Sequence, residues 1–333
     1  MDCGFGTNSY RIRAMAAQIE QASHCFAFEQ DFIGTWRCIP LCVRRKLDLI
    51  GLKLKLSHWL ALEQPQRQEL VQWGAGGGLL KLGGIALSEE ELGALGRVVA
   101  SNPGLTTIDM TDSNIGDAVV AAVAEALLSN HSSVTALGLS GNKIGDGGIG
   151  HIARLLEPGS ALASLFLRNN SVGADGAREL AAALKSNTCL LKLNLKNNAL
   201  GEAGARELAG MLAHNTTLTE LNVWDNQLGP GGARALADAV AEPGCRLLDL
   251  DLGCNQVGNL GVAALAVPLQ GNASLTRLNL RWNEIDDEGL EVLAAALPTN
   301  TLLSELHLFG NSFSQDCSSV LAGKISSSLK VLK

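Results

Sequence analysis

The sequence predicts an α/β solenoid, a horseshoe with a parallel concave sheet and convex helices, preceded by a small helical cap. Three observations predict it. Seven asparagines, at positions 142, 170, 198, 226, 255, 283 and 311, recur at intervals of 28 residues, with a single interval of 29. Each closes the same phrase, as in Leu137-x-Leu139-x-x-Asn142 and Leu306-x-Leu308-x-x-Asn311. A fixed period of this length marks stacked supersecondary units that bury a continuous core between neighbours. Composition agrees: hydrophobic residues make up 47% and aromatics only 4%, which suits many small, equivalent Leu and Ala slots.

The elements follow in chain order. Residues 1–79 do not fit the repeat and read as the helical segment. Pro40 starts a helix whose Val43, Leu47 and Ile50 share a face, and Gly51 ends it. Ser57 can cap a second helical turn, and Pro65 can open a third. After Trp73, the run Gly-Ala-Gly-Gly-Gly at residues 74–78 reads as a hinge. Residues 80–333 then hold about nine coils. In one of them, Leu193 and Leu195 alternate as a short strand with its apolar side turned inward. Asn198 sits where the chain leaves the sheet, and its amide can bond backbone groups that a buried turn would otherwise strand. Gly201 and Gly204 open a helix, and Leu208 and Leu212, four apart, lay its apolar stripe on the back of the sheet. Ser113 and Ile85 hold the ladder position in the first two coils. Leu329 and Leu332 end the chain in half a repeat. One strand per coil gives a sheet roughly 40 Å long.

The unit Leu190-x-x-Leu193-x-Leu195-x-x-Asn198-x-Leu200-Gly201-x-x-Gly204-Ala205-x-x-Leu208-Ala209 resembles the leucine-rich repeats of the ribonuclease-inhibitor class, which NOD-like receptors and the Ran GTPase-activating protein share. The resemblance covers about three quarters of the chain and implies the fold; its members recognise unrelated partners, so it implies no single function. Ahead of the array stand Phe26-Ala-Phe28-Glu29-Gln30-Asp31-Phe32, Arg37-Cys38-Ile39-Pro40, Val43-Arg44-Arg45-Lys46-Leu47-Asp48 and Lys53-Leu54-Lys55-Leu56-Ser57-His58-Trp59. These phrases resemble the opening of the nitrate reductase-associated protein family. That resemblance implies no chemistry and raises one alternative, a component linked to nitrate assimilation.

Charge and cysteine usage exclude several classes. The net charge is −7, and residues 80–333 carry 17 basic against 26 acidic side chains, so general nucleic-acid affinity is not expected. Eight scattered cysteines form no disulfide framework and point to reduced thiols in the cytoplasm. No apolar run reaches the length of a membrane span, and the amino terminus has no secretory pattern. Cys38 and Cys42 lack the paired spacing of a zinc site. Gly323-Lys324-Ile325-Ser326 lacks the first glycine and the strand of a phosphate loop. No catalytic, cofactor or metal residues are expected.

The informative positions are strand residues that point away from the core. Phe166, Arg168, Lys196, Trp224, Asp251, Arg281, His307 and Phe309 fall on that side, with Asp225 and Trp282 one residue further out. Large aromatics beside arginines have the composition of interface hot spots. The pattern places Trp224 at the centre, facing Gly253, with Glu220, Asp249 and Asp251 as acid on one side and Arg168, Lys192 and Lys196 as a basic patch on the other. A second reading has the aromatics stacking on neighbouring strands and only stiffening the sheet. The expected function is a non-enzymatic scaffold that binds a protein partner on its concave sheet. Regulation of a small GTPase is the alternative implied by the Ran GTPase-activating protein resemblance.

Overall fold

The computed structural model describes residues 79–84, 104–129, 133–271, 274–317 and 329–332. The helical cap, the glycine hinge, Cys38 and Cys42, ladder position 85 and residues 323–326 lie outside them. The described residues form one ten-stranded sheet, wholly parallel and in sequential order. Its strands are β1 (Leu79–Lys81), β2 (Thr107–Asp109), β3 (Ala136–Gly138), β4 (Ser164–Phe166), β5 (Lys192–Asn194), β6 (Glu220–Asn222), β7 (Asp249–Asp251), β8 (Arg277–Asn279), β9 (Glu305–His307) and β10 (Lys330–Leu332). The half repeat at the end of the sequence thus supplies a strand of its own, with Val331 opposite Leu306.

Strands this short persist because each of β2 to β9 pairs on both sides and seats its central residue in the core. From Leu80 and Ile108 to Leu278 and Leu306, those central residues are at most 1% exposed. Among the described residues, seven helices return the chain behind the sheet: α1 (Asp117–Ser129), α2 (Asp146–Arg154), α3 (Ala174–Leu184), α4 (Gly201–Leu212), α5 (Gly229–Ala241), α6 (Gly258–Gly271) and α7 (Asp287–Ala296). Each packs against the next. In α4 the buried stripe includes Ala205, Leu208, Ala209 and Leu212, so small residues let neighbouring helices approach while leucines fill the gap to the sheet.

The asparagine ladder forms as its chemistry requires. Asn255 Nδ2 donates to the carbonyls of Val223 in the preceding coil (2.8 Å) and of Leu252 and Gly253 in its own (3.0 Å each). Its Oδ1 accepts from the Asn226 backbone N–H at 2.9 Å, and its own N–H donates to Asn283 Oδ1 at 2.9 Å. Ser113 keeps part of this role, since its hydroxyl donates to the Leu82 carbonyl at 3.0 Å.

A second ladder, not anticipated from the sequence, lies where the chain returns from helix to strand. Asn187, Asn215 and Asn300 are buried there. Their amides donate to Leu156, Leu184 and Leu269 carbonyls of the preceding coil at 2.8, 2.7 and 2.6 Å. Each Oδ1 caps the next turn, as Asn215 does for the Thr217 and Leu218 N–H groups. A third set of links joins helix starts: Asp117 and Asp146 accept from the Gly145 and Gly173 N–H groups of the following coil, both at 2.7 Å.

Candidate protein-binding face

Side chains of a strand alternate, so each strand turns its first and third residues to the open face, and a further residue, past the next core leucine, joins them. Pairing register sets these positions into three rows running across β4 to β9. The first row reads Ser164, Lys192, Glu220, Asp249, Arg277, Glu305. The middle row reads Phe166, Asn194, Asn222, Asp251, Asn279, His307. The third reads Arg168, Lys196, Trp224, Gly253, Arg281, Phe309.

Ion pairs neutralise the first row from within. Lys192 Nζ lies 2.8 Å from Glu220 Oε1, and Arg277 Nη2 lies 3.0 Å from Asp249 Oδ2. Burial above all pushes the Asp249 carboxyl up; Arg277 pulls it back, while Glu220 and Asp251 add to the rise. Lys192 therefore does not belong with Arg168 and Lys196, as the sequence pattern groups it. The separation of charge runs between rows, not to either side of Trp224.

The middle row is first of all structural. Oδ1 of Asn194, Asn222, Asp251 and Asn279 accepts the backbone N–H two residues on, from Lys196, Trp224, Gly253 and Arg281, at 3.0 to 3.1 Å. These turns hold the backbone beneath the third row. Asp251 Oδ2 also accepts from Asn222 Nδ2 at 3.1 Å. Burial still raises its carboxyl, since the hydrogen bonds offset only part of the lost solvation. At the end of the row, His307 Nε2 lies 3.5 Å from Glu305 Oε2, while its Nδ1 is buried without a hydrogen-bond partner. A depression of about 140 Å³ between these two rows is walled by Phe166, Lys192, Glu220, Asp249 and Asp251.

The third row carries cations and aromatics. Trp224 is half-buried: Lys196 Nζ sits 4.3 Å from its ring centroid, and the ring lies over Gly253, where a Cβ would fall inside it. The sequence pattern centres the face on Trp224, whereas the freely presented aromatics are two and three coils further along. Trp282 and Phe309 are each 52% exposed and meet edge to face, with centroids 5.5 Å apart and planes at 82°. The Trp282 ring rests over Gly310 as Trp224 does over Gly253. Phe166 stands apart on β4, 37% exposed. Arg168 is exposed, and Arg281 is half-buried with its Nε lacking an acceptor.

Asp225 and Trp282 occupy the turn beyond the third row, at φ 53° and 57°. In other coils this position is Asp112, Gly141, Asn169, Asn197, Cys254 or Gly310, all at positive φ. Gly, Asn and Asp tolerate that region, whereas a bulky tryptophan is strained there. The ten residues expected from the sequence thus spread over six strands instead of meeting at a point, a span of roughly 24 Å. Aligning the coils would have exposed Trp282 as the anomaly at a position otherwise given to small or turn-forming residues. The Glu220 and Asp249 ion pairs had no such signal.

On the opposite side, a groove of about 770 Å³ runs between α5 and α6. Leu260 and Val267 flank it, 77% and 72% exposed, on a helix without a charged residue. Among the described residues no group of three or more His, Cys, Asp or Glu side chains could hold a metal ion, and no helix is long and apolar enough to cross a membrane.

Comparison with known proteins supplies the family context. Residues 25–77 match the model of the conserved nitrate reductase-associated protein family. Residues 130–153, 186–209, 214–237, 245–266 and 271–294 match a leucine-rich repeat model, which does not distinguish the ribonuclease-inhibitor class. A search of curated proteins gives no match. Among solved structures, the chain is similar to leiomodin-1 actin-binding site 2, at 24% identity over 47% of this chain and 90% of that one, with a TM-score of 0.39. It is also similar to an internalin from Listeria monocytogenes, at 19% identity over 76% of this chain and 66% of that one, with a TM-score of 0.45.

Proposed function

We propose that this array of leucine-rich repeats is a protein-interaction scaffold, acting by binding and not by catalysis, and that the open face from β4 to β9 grips the partner. The observation that carries the reading is the Trp282–Phe309 pair. Two large aromatics stand half-exposed on a sheet whose turns are fixed by buried asparagines, so little side-chain or backbone freedom is left to lose on binding. Trp282 is held there at a backbone conformation that costs about 1 kcal/mol or more, and strain of this kind concentrates at functional positions. Aromatics and arginines in such settings dominate interface energetics, often at about 2 kcal/mol or more each. The scattered cysteine spacing of the sequence is compatible with a reducing compartment such as the cytoplasm, where we place this scaffold.

Affinity capture with the full chain tests this. A Trp282→Ala/Phe309→Ala variant should lose a partner that wild type retains, while a Leu260→Ser/Val267→Ser variant on the helical side should keep it. Equal recovery by wild type and the first variant would overturn the open-face reading.

A further inference from the structure

We infer that the segment received by this face is acidic, with an apolar side chain next to its carboxylate. The inference rests on the scaffold reading and adds the chemistry of the partner. The two cationic rows differ in how they are compensated. Lys192 and Arg277 of the first row are both held in ion pairs. Arg168, Lys196 and Arg281 of the third row pair with no carboxylate among the described residues, although residues 80–333 carry a clear excess of acid. Three cations without an ion pair on one rail, Lys196 among them resting on the Trp224 ring, make a local exception in an otherwise acidic array.

At the β8–β9 end the rail is most specific. Arg281 Nε is buried with no acceptor, and His307 Nδ1 in the neighbouring coil is buried without a hydrogen-bond partner. The Nε–H is closed to solvent, so a ligand oxygen would meet the guanidinium through its terminal nitrogens, which are not among the buried atoms. A guanidinium takes a carboxylate in a planar, two-point fork. Beside it, Trp282 and Phe309 offer an apolar surface at right angles to each other. A carboxylate on Arg281 and an adjacent Leu, Phe or Trp side chain against that pair satisfy both halves of the site. Further acid along the segment would run over Lys196 and Arg168. A nucleic-acid strand fits less well, because its phosphates are continuous and would also pass Asp225 and Asp251, whereas a peptide can space its carboxylates to meet the cations and leave neutral side chains beside those two.

A random-peptide library selected against the full chain, followed by binding titrations of a selected peptide and of a short single-stranded oligonucleotide, tests the inference. Enrichment of Asp or Glu beside an aliphatic or aromatic residue is expected. Arg281→Gln should weaken such a peptide by about tenfold or more, with an unchanged melting temperature. Arg281→Lys should keep the acidic preference, and Arg281→Glu should turn selection toward basic peptides. Neutral or basic peptides that are nonetheless lost with Trp282→Ala would overturn the inference and leave the scaffold reading standing. Peptides indifferent to Arg281→Gln, Trp282→Ala and Phe309→Ala alike would overturn both. Tighter binding of the oligonucleotide than of any peptide, lost with Arg281→Gln, would replace the acidic segment by nucleic acid.

Discussion

Asn255 illustrates what a single side chain contributes in a stacked array. It is fully buried, gives hydrogen bonds to three carbonyls and takes them from backbone N–H groups of the preceding coil. Asn255→Ala leaves several of these groups without partners in a site closed to water. A loss of about 3 kcal/mol is expected from denaturant unfolding, and a loss below about 1 kcal/mol would contradict the ladder's structural role. Cys254, one residue earlier, is held at φ 54°, where asparagine is the better tenant. Cys254→Asn should therefore stabilise the protein by about 0.5 to 1 kcal/mol, read as a melting temperature higher by about 2 °C. The same argument applies in reverse to Trp282, which is poor for the backbone and good for binding.

At the scale of the strand, the middle row joins local geometry to surface chemistry. Its Asn and Asp side chains bond the backbone of the third row, so the residues most open to a partner rest on a scaffold made by their neighbours. Asp251 departs from the asparagine that β5, β6 and β8 place there, and burial raises its carboxyl. A carboxyl whose folded pKa is raised gives up its proton less readily in the folded state than in the unfolded one. Its ionisation thus costs stability above the folded pKa, and the cost disappears as the pH falls below the unfolded value. The stability of Asp251→Asn relative to wild type should accordingly be most favourable near pH 7 and decline as the pH is lowered to about 4. Thermal melts across that range read it; a difference that grows on acidification would contradict the burial of Asp251. Asp287 has the opposite sign. The Ser314 N–H lowers its carboxyl, so its contribution is present above the unfolded pKa and fades as the pH falls through the folded one.

Across the whole molecule, stability is a sum over neighbouring coils, because each coil touches only the coils on either side. Strand β10 covers β9 with three residues. Removing residues 329–333 would leave β9 as an unpaired edge directly beneath Phe309, the outer member of the aromatic pair. The expected result is loss of amide protection first at β9 and then at β8, with a broadened melting transition. Uniform loss of protection along the array would show that the coils unfold as one body. This end effect also bears on binding, since the proposed anchor stands on β8 and β9, beside β10.

Much of this architecture was legible from spacing alone. The period of the asparagines set the strand order, the helix on each return and the inward leucines, because a repeat of fixed length admits one register. The outward residues follow from strand alternation, so spacing alone numbers all ten candidate positions. The second ladder at Asn187, Asn215 and Asn300 was overlooked because a polar residue before a strand reads equally well as solvated loop. Burial decides between those readings, and burial depends on the neighbouring coil. Register across coils likewise paired Lys192 with Glu220 and Arg277 with Asp249, leaving Arg281 open. It also covered Trp224 with Lys196 and Gly253 while leaving Trp282 and Phe309 exposed. Spacing within a coil tells which side chains share the open face. Which of them a neighbour already satisfies is settled between coils, since charge pairing and ring stacking leave no mark in the spacing within one.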